Sequence, residues 1–256
     1  MTALVTGSSV GIGKDLAVVL AENKHDLVIT ARGQDQLEQL AAELRTKFAV
    51  RVEVLVKDLA KPQAASEILE ELKQSNIAID ILINNAGFGG HGPFDRENVD
   101  EILGMLQVNI VALTHLTRLF LPQMVARKHG RVMNLASTAA FQPGPRMAVY
   151  YASKAYVLSF SEAIASELKR TGVTVTAVCP GPTQTEFQKR AGVERSRIFQ
   201  KNMMDSMTVA RLGYQAMMKG KRVAITGFKN RILTTASKFA PRAMVLSAVK
   251  KLNDAR

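Results

Sequence analysis

Residues 149–160 read VYYASKAYVLSF, three tyrosines and one lysine in a stretch otherwise suited to a buried helix. Tyr150 and Lys154 are four apart and share one helical face, whereas Tyr151 has Ala155 at that step and Tyr156 has no lysine at helical spacing. A free phenol titrates near ~10, too high for a group that must give and take protons at neutral pH. An ammonium held within a few ångströms favours the phenolate and lowers that value. Tyr150 is therefore the candidate proton donor and acceptor, and Lys154 is expected to raise its acidity.

Something must hold that helix against a partner site, and the rest of the chain supplies a scaffold. Short β-rich runs near 2–6, 26–30, 51–56, 79–84, 131–136, 173–179 and 222–226 alternate with longer amphipathic stretches. The runs are nearly all apolar (ALVT, DLVIT, DILIN, VTVTAVC), as expected of strands covered on both faces. These features predict a single α/β domain over residues 1–256, a doubly wound, seven-stranded parallel sheet of the Rossmann-like kind. No repeat or Pro/Gly/Ser linker marks a boundary. The polar, Met-bearing stretch 183–205 is a lid candidate over the C-terminal edge of the sheet, and residues 230–256 are expected to form a basic helical tail.

At the other end of the chain, TGSSVGIG follows the first strand and opens a helix, with glycines at 7, 11 and 13. Such a turn brings backbone N–H groups and a helix N-terminus to a pyrophosphate, although it also serves as a tight structural turn. The second strand ends VITARG. Thr30 and Ala31 offer no carboxylate for a ribose, and Arg32 offers a fork for a 2′-phosphate, so NADP(H) is favoured over NAD(H). The competing reading of Arg32 is an ordinary exposed surface arginine. Asp58, after the third strand, is a candidate acceptor for the adenine amino group or a helix cap beside Pro62. The fourth strand ends in Asn84, Asn85, Ala86 and Gly87, a small polar turn suited to lie against ribose.

Composition narrows the classes. The 256 residues are 47% hydrophobic, enough for a large core. The single cysteine, Cys179, excludes an intramolecular disulfide and, inside VTVTAVCP, reads as a buried inert thiol compatible with a reducing compartment. The N-terminus begins directly on a strand, and the sequence shows no uninterrupted apolar run of spanning length, so a cytoplasmic protein is expected. The net charge is +12, and residues 219–256 carry ten Lys or Arg against one acid, Asp254. That tail meets solvent, a second copy, or an acidic lipid or protein surface. Nucleic acid is disfavoured, because no helix-turn-helix, zinc spacing or RNA-binding aromatic motif accompanies the charge, and no metal site is expected.

In order and in register, TGSSVGIG, NNAG, VNI, GRVMNLAS, YYASK and CPGPTQT resemble the short-chain dehydrogenase/reductase family in its compact single-domain form. The likeness spans the chain to about residue 185, and its most specific element is a serine thirteen residues before Tyr-x-x-x-Lys. The resemblance implies that Asn109, Ser137, Tyr150 and Lys154 are the catalytic residues. It also implies cofactor contacts by Gly7, Ser9, Gly11, Ile12, Gly13, Asn85, Ala86, Gly87, Pro180, Gly181 and Thr183, besides Tyr150 and Lys154. In that scheme Ser137 holds a carbonyl oxygen, Tyr150 protonates it, Lys154 binds the nicotinamide ribose, and Asn109 holds a water leading to Lys154. Without the resemblance, Ser137 is a cap or turn residue and Asn109 a buried amide.

An apolar carbonyl substrate (aldehyde, ketone or 3-oxoacyl compound) is expected. Its walls are expected from Phe88, His91, Phe141, Pro143, Met147 and, in the 183–205 segment, Phe187, Met203 and Met204, with His91 a loop residue rather than a second base. The tail lacks the Gly-Gly strand of the family's acyl-carrier-protein reductases and resembles the branch of 3-ketoacyl reductases and 17β-hydroxysteroid dehydrogenase-like proteins. A homodimer on the helices near 100–122 and 150–170 is expected. The competing readings are an idle NADP-binding sensor or scaffold and a membrane-surface adaptor that uses the tail.

Overall fold

Strand β1 (Thr2–Thr6) carries no charge and sends alternate side chains to opposite faces. Ala3 and Val5 enter one core layer and Leu4 the other, which is why the strand reads as continuously apolar. The computed structural model describes residues 1–193, 196 and 203–254. After β1 the chain runs through α1 (Gly11–Glu22), β2 (Asp26–Ala31), α2 (Gln34–Phe48), β3 (Val52–Val56), α3 (Ala64–Gln74) and β4 (Ile81–Asn84). A long helical run follows: α4 (Val99–Leu106), a π-helical segment Gln107–Ala112 and α5 (Leu113–Ala126). Then come β5 (Gly130–Leu135), α6 (Ala148–Glu167) and β6 (Val173–Cys179).

The sheet is completed by β9 (Val223–Ile225), and its order is β3-β2-β1-β4-β5-β6-β9 with every pair parallel. Before β9 lie the short strands β7 (Thr183–Gln184) and β8 (Met204–Asp205), which pair with each other, and the helices α7 (Phe187–Arg190) and α8 (Ser206–Met218). Two helices, α9 (Phe228–Phe239) and α10 (Arg242–Asn253), close the chain. The expected seven strands are present. Two-residue strands such as β7 and β8 leave no periodic pattern to find.

One core layer packs α1, α2 and α8 on the sheet through Leu16, Leu20, Leu37, Leu44 and Met217. The other packs α3 and α5 through Ile68, Leu72, Leu116, Phe120 and Met124. The helical run Val99–Ala126 is long and apolar enough to cross a membrane by length and composition alone, although Asp100, Glu101 and Arg118 interrupt it. Its buried face is the one that covers the sheet. The chain leaves β1 towards β2 on one side and lies beside β4 on the other, so a crevice opens at their C-terminal ends.

A buried polar chain fixes α6 relative to that crevice. Asn84 Nδ2 donates to Thr117 Oγ1 (3.0 Å) and to Asn134 Oδ1 (2.9 Å), and Asn134 Nδ2 donates to Ser161 Oγ (2.9 Å). These bonds join β4, β5, α5 and α6 inside the core and use both donors of Asn84, although Asn84 Oδ1 has no hydrogen-bond partner.

Candidate active site

At the crevice the Gly7 N–H donates to the Thr30 carbonyl (2.8 Å), turning the chain sharply off β1. Gly7 and Gly11 have φ of +66° and +57°, a region that L side chains avoid. A Cβ on Gly13 would stand 2.2 Å from the Gly7 carbonyl oxygen and 2.3 Å from Asn85 Nδ2. Asn85 itself is committed to this turn, since its Nδ2 donates to the carbonyls of Thr6 (2.9 Å) and Gly7 (3.1 Å). Val10, before α1, provides no side-chain cap, and the first turn of α1 has no acid, so its N–H groups face the crevice free of a competing anion.

The cleft above this turn has a volume of about 780 Å³, and its lining includes Ser9, Ile12, Arg32, Asp58, Ala86, Gly87, Pro180, Gly181 and Thr183, with Gly87 beside Asn109 and Lys154. The glycine cradle, the uncapped helix and the length of the cleft fit a dinucleotide. Asp58 also caps its own turn, accepting from the Ala60 N–H (3.0 Å), so both of its sequence readings are present in one place.

The far end of the same cleft holds Ser137, Tyr150 and Lys154. Ser137 follows β5; its Oγ accepts from the Ala139 N–H (3.1 Å), starting the tight turn Thr138–Phe141, and it hydrogen-bonds the Tyr150 hydroxyl. Tyr150 lies in the first turn of α6, and Lys154 one turn later places Nζ 5.8 Å from the Tyr150 ring centroid. The Lys154 ammonium donates to the Leu135 carbonyl (2.7 Å).

The acidity expected of Tyr150 is corrected here. Burial pushes its phenol up to about 12, and the bond to Ser137 only partly offsets this. Burial likewise pushes Lys154 down to about 8. The ammonium faces the ring and bonds a carbonyl, so desolvation outweighs the attraction that the spacing suggested. Cys179 is buried, and burial pushes its thiol up to about 12, as suits an inert side chain.

Asn109 sits in the π-helical segment, a departure from α geometry that often accompanies functional positions. Its Oδ1 accepts from the Phe88 N–H (3.1 Å), and its Nδ2 donates to the Phe88 carbonyl (3.0 Å) and to Ser153 Oγ (3.0 Å). The amide is thus fully engaged in clamping the Phe88 peptide beside the cleft.

Met147, Phe88 and Phe187 line the cleft, and the Phe187 ring centroid is 5.2 Å from that of Tyr150. Phe141, expected on the substrate wall, lies elsewhere: the turn begun by Ser137 carries it into a separate cavity with Pro143, where Lys238 covers its ring at 5.6 Å. Met203 and Met204 also lie outside the cleft lining; Met203 Sδ accepts from Gln188 Nε2, and Met204 is in β8. His91 is a loop residue whose Nε2 bonds the Asn253 carbonyl (2.8 Å). Part of the lid candidate, residues 194–195 and 197–202, lies outside the described residues, as do residues 255–256 of the tail.

Sequence reasoning missed Arg190 and Asn253, both in the cleft lining. Arg190 of α7 lies over the Phe88 ring at 4.8 Å, and burial followed by the neighbouring charge of Arg32 lowers its pKa. Asn253, fully buried near the C-terminus, donates to the Pro145 carbonyl (2.9 Å) and accepts from the Tyr151 hydroxyl (3.2 Å); its own carbonyl also accepts from Ser196 Oγ (3.0 Å). No local motif announces an asparagine that acts only through long-range contacts.

A doubly wound parallel sheet, a glycine turn after the first strand and a Ser–Tyr–Lys group in the same cleft define a Rossmann-like oxidoreductase. Residues 1–196 match the family described as short chain dehydrogenase. The chain belongs to the short-chain dehydrogenase/reductase family, enzymes acting on CH–OH and C=O groups. It is 39% identical over 185 residues to the uncharacterized oxidoreductase YvaG of Bacillus subtilis, covering 72% of this chain and 69% of that one. It is 33% identical over 191 residues to the very-long-chain 3-oxoacyl-CoA reductase of Homo sapiens, covering 73% of this chain but only 61% of that protein. The short-chain dehydrogenase of Sphingobium yanoikuyae, solved in complex with NADPH, superposes with a TM-score of 0.85 at 32% identity, over 99% of this chain and 98% of that one.

Proposed function

We propose that the protein is an NADP(H)-dependent oxidoreductase that interconverts the carbonyl and secondary alcohol of a small apolar substrate. The observation that carries this reading is the convergence of Ser137, Tyr150 and Lys154 on one side of a cleft whose other end holds the glycine turn and Arg32. When bound, the nicotinamide supplies or accepts the hydride. Ser137 Oγ holds the substrate oxygen and Tyr150 gives it the proton, which returns to Tyr150 in the reverse direction. A phenol near 12 is fully protonated at neutral pH and so is ready to donate. Lys154 stabilises the phenolate left behind while it carries its own proton, and it contacts the ribose. Asn109 holds the Phe88 peptide in place along the substrate path.

Gly7, Gly11, Gly13 and the first turn of α1 receive the pyrophosphate, and Arg32 pairs with a 2′-phosphate that an NADH-specific site would repel with a carboxylate. The apolar wall of Phe88, Met147 and Phe187 supports an aldehyde, ketone or 3-oxoacyl substrate over a sugar or acid. The relatives named as 3-oxoacyl-CoA reductase support the same choice, and the NADPH complex of the Sphingobium yanoikuyae enzyme supports the reading of NADP(H) as cofactor. Exposed Leu103, Val111 and Tyr156 on the long helices support a homodimer, and the buried free thiol suits the cytoplasm.

The test is cofactor consumption over a panel of aldehydes, ketones and 3-oxoacyl thioesters, with NADPH and NADH in parallel. Turnover of at least one class with NADPH, and weaker turnover with NADH, is expected. Inactivity across the panel with tight NADPH binding supports the idle sensor instead.

A further inference from the structure

A helix that packs on a protein body turns its apolar side inward. Helix α9 is mounted the other way. Its buried residue is Thr234, and the side chains turned to the body are polar. Asn230 Nδ2 donates to the Thr226 carbonyl (2.7 Å) and crowds Gly181 and Gly227, while Thr234 and Ser237 donate to carbonyls one turn earlier. At 3.6 residues per turn Phe228, Ile232 and Phe239 share a narrow arc on the opposite side. They are 76%, 52% and 85% exposed; Leu233, 67% exposed, lies about 100° round the helix from Ile232. Water gains nothing from wetting four large apolar side chains on one helix, so the face calls for a cover.

The charge around it states what kind. Lys229, Arg231 and Lys238 lie on α9, Arg242, Lys250 and Lys251 lie on α10, and residues 228–253 contain no Asp or Glu. A second copy docked through this face by two-fold symmetry would set the same cations against one another with no acid to pair them. An acidic protein would satisfy the charge but would need preformed recesses for rings that protrude at both ends of the helix. An anionic bilayer offers a continuous negative surface with an apolar layer just beneath it, which accepts protruding rings without preformed pockets.

We propose that α9, with the cations of α9 and α10, is a docking surface for an anionic lipid bilayer, the rings of Phe228 and Phe239 entering the acyl boundary and the basic side chains meeting the headgroups. The active-site cleft is lined by Asn253 at the end of α10 but by no residue of α9, which places the proposed docking helix beside the cleft rather than across it.

The experiment is co-sedimentation of the full-length protein with phosphatidylcholine vesicles, with and without phosphatidylglycerol, at low and high salt. Binding only to the anionic vesicles, weakened by salt, is expected. Each charge reversal in Lys229→Glu and Arg231→Glu should weaken binding by about fivefold or more. The double variant Phe228→Ser/Phe239→Ser should abolish it with an unchanged thermal melt. Sedimentation velocity is run beside it with polyglutamate as an acidic-chain probe. Absence of vesicle binding at low salt overturns the proposal, whether the serine variant then lowers the assembly size, pointing to a second copy, or polyglutamate alone is bound, pointing to an acidic protein. Equal binding to neutral vesicles overturns the role given to the cations.

Discussion

Lys154 is asked to be both buried and charged, and the protein sustains this at a cost. A fall from 10.5 to about 8 corresponds to ~3 kcal/mol, as an upper figure, of native-state penalty on the ammonium. Between pH 8 and 10.5 the unfolded chain holds this proton and the folded one does not, so stability rises with pH across that window. We therefore expect Lys154→Met to be inactive yet more stable than wild type at pH 7 in chemical denaturation, with the gain shrinking as pH passes 8 towards 10.5. The unpaired Leu135 carbonyl left behind trims the gain to about 1–2 kcal/mol. A variant less stable at pH 7 would mean that the ammonium is not desolvated. The choice of Tyr150 over its neighbours was legible in the sequence, because one helical turn decides which phenol faces the lysine. The sign of its shift was not, because burial comes from β5, the Phe187 helix and the loop at 180–183, none of them local to the motif.

Among the elements, the turn between β1 and α1 tolerates the least change. Gly13→Ala places a methyl group against the Gly7 carbonyl and the Asn85 amide, which are backbone and a doubly bonded side chain. NADPH affinity should fall at least ~100-fold by fluorescence titration, as expected when a preformed anion cradle is displaced by about an ångström. The C-terminal segment makes a second prediction. Asn253→Ala strips partners from the Tyr151 hydroxyl and the Pro145 carbonyl, with a stability loss of about 2 kcal/mol. Substrate KM should rise while NADPH affinity holds, because the Asn253 side chain ties Pro145 of the 145–147 loop to Tyr151 at the substrate end, whereas the His91 contact is to the backbone carbonyl and survives the substitution. An equal loss of cofactor affinity would show that its effect is global. The glycine turn was legible because its residue types are demanded by backbone geometry. The Asn253 junction was not, since an asparagine far along a basic tail carries no local sign of burial. Phe141 was misplaced for a related reason: the Ser137-capped turn redirects it, and that cap is a three-dimensional event.

For the molecule as a whole, the two ends of one cleft divide recognition from chemistry. Arg32 and the glycine turn lie at one end, Ser137, Tyr150 and Lys154 at the other; the parallel doubly wound sheet between them was legible in the alternating runs of the sequence, whereas its strand order was not. Hidden from the sequence was the way the chain returns after β9 to set Asn253 beside the cleft and to leave the apolar side of α9 outward. Arg32→Ala should weaken NADPH binding by about 10–100-fold and leave NADH binding within about twofold, as for loss of a charge-assisted phosphate pair. Parallel titrations with both nucleotides check this, and equal loss for both would remove Arg32 from cofactor choice. The central claim is that Tyr150 moves the proton. Its most direct measurement is single-turnover NADPH oxidation by Tyr150→Phe at saturating cofactor and substrate, with NADPH affinity measured on the same preparation. We predict a rate at least ~100-fold lower with affinity within a few-fold of wild type. A rate close to wild type at equal affinity would contradict the account.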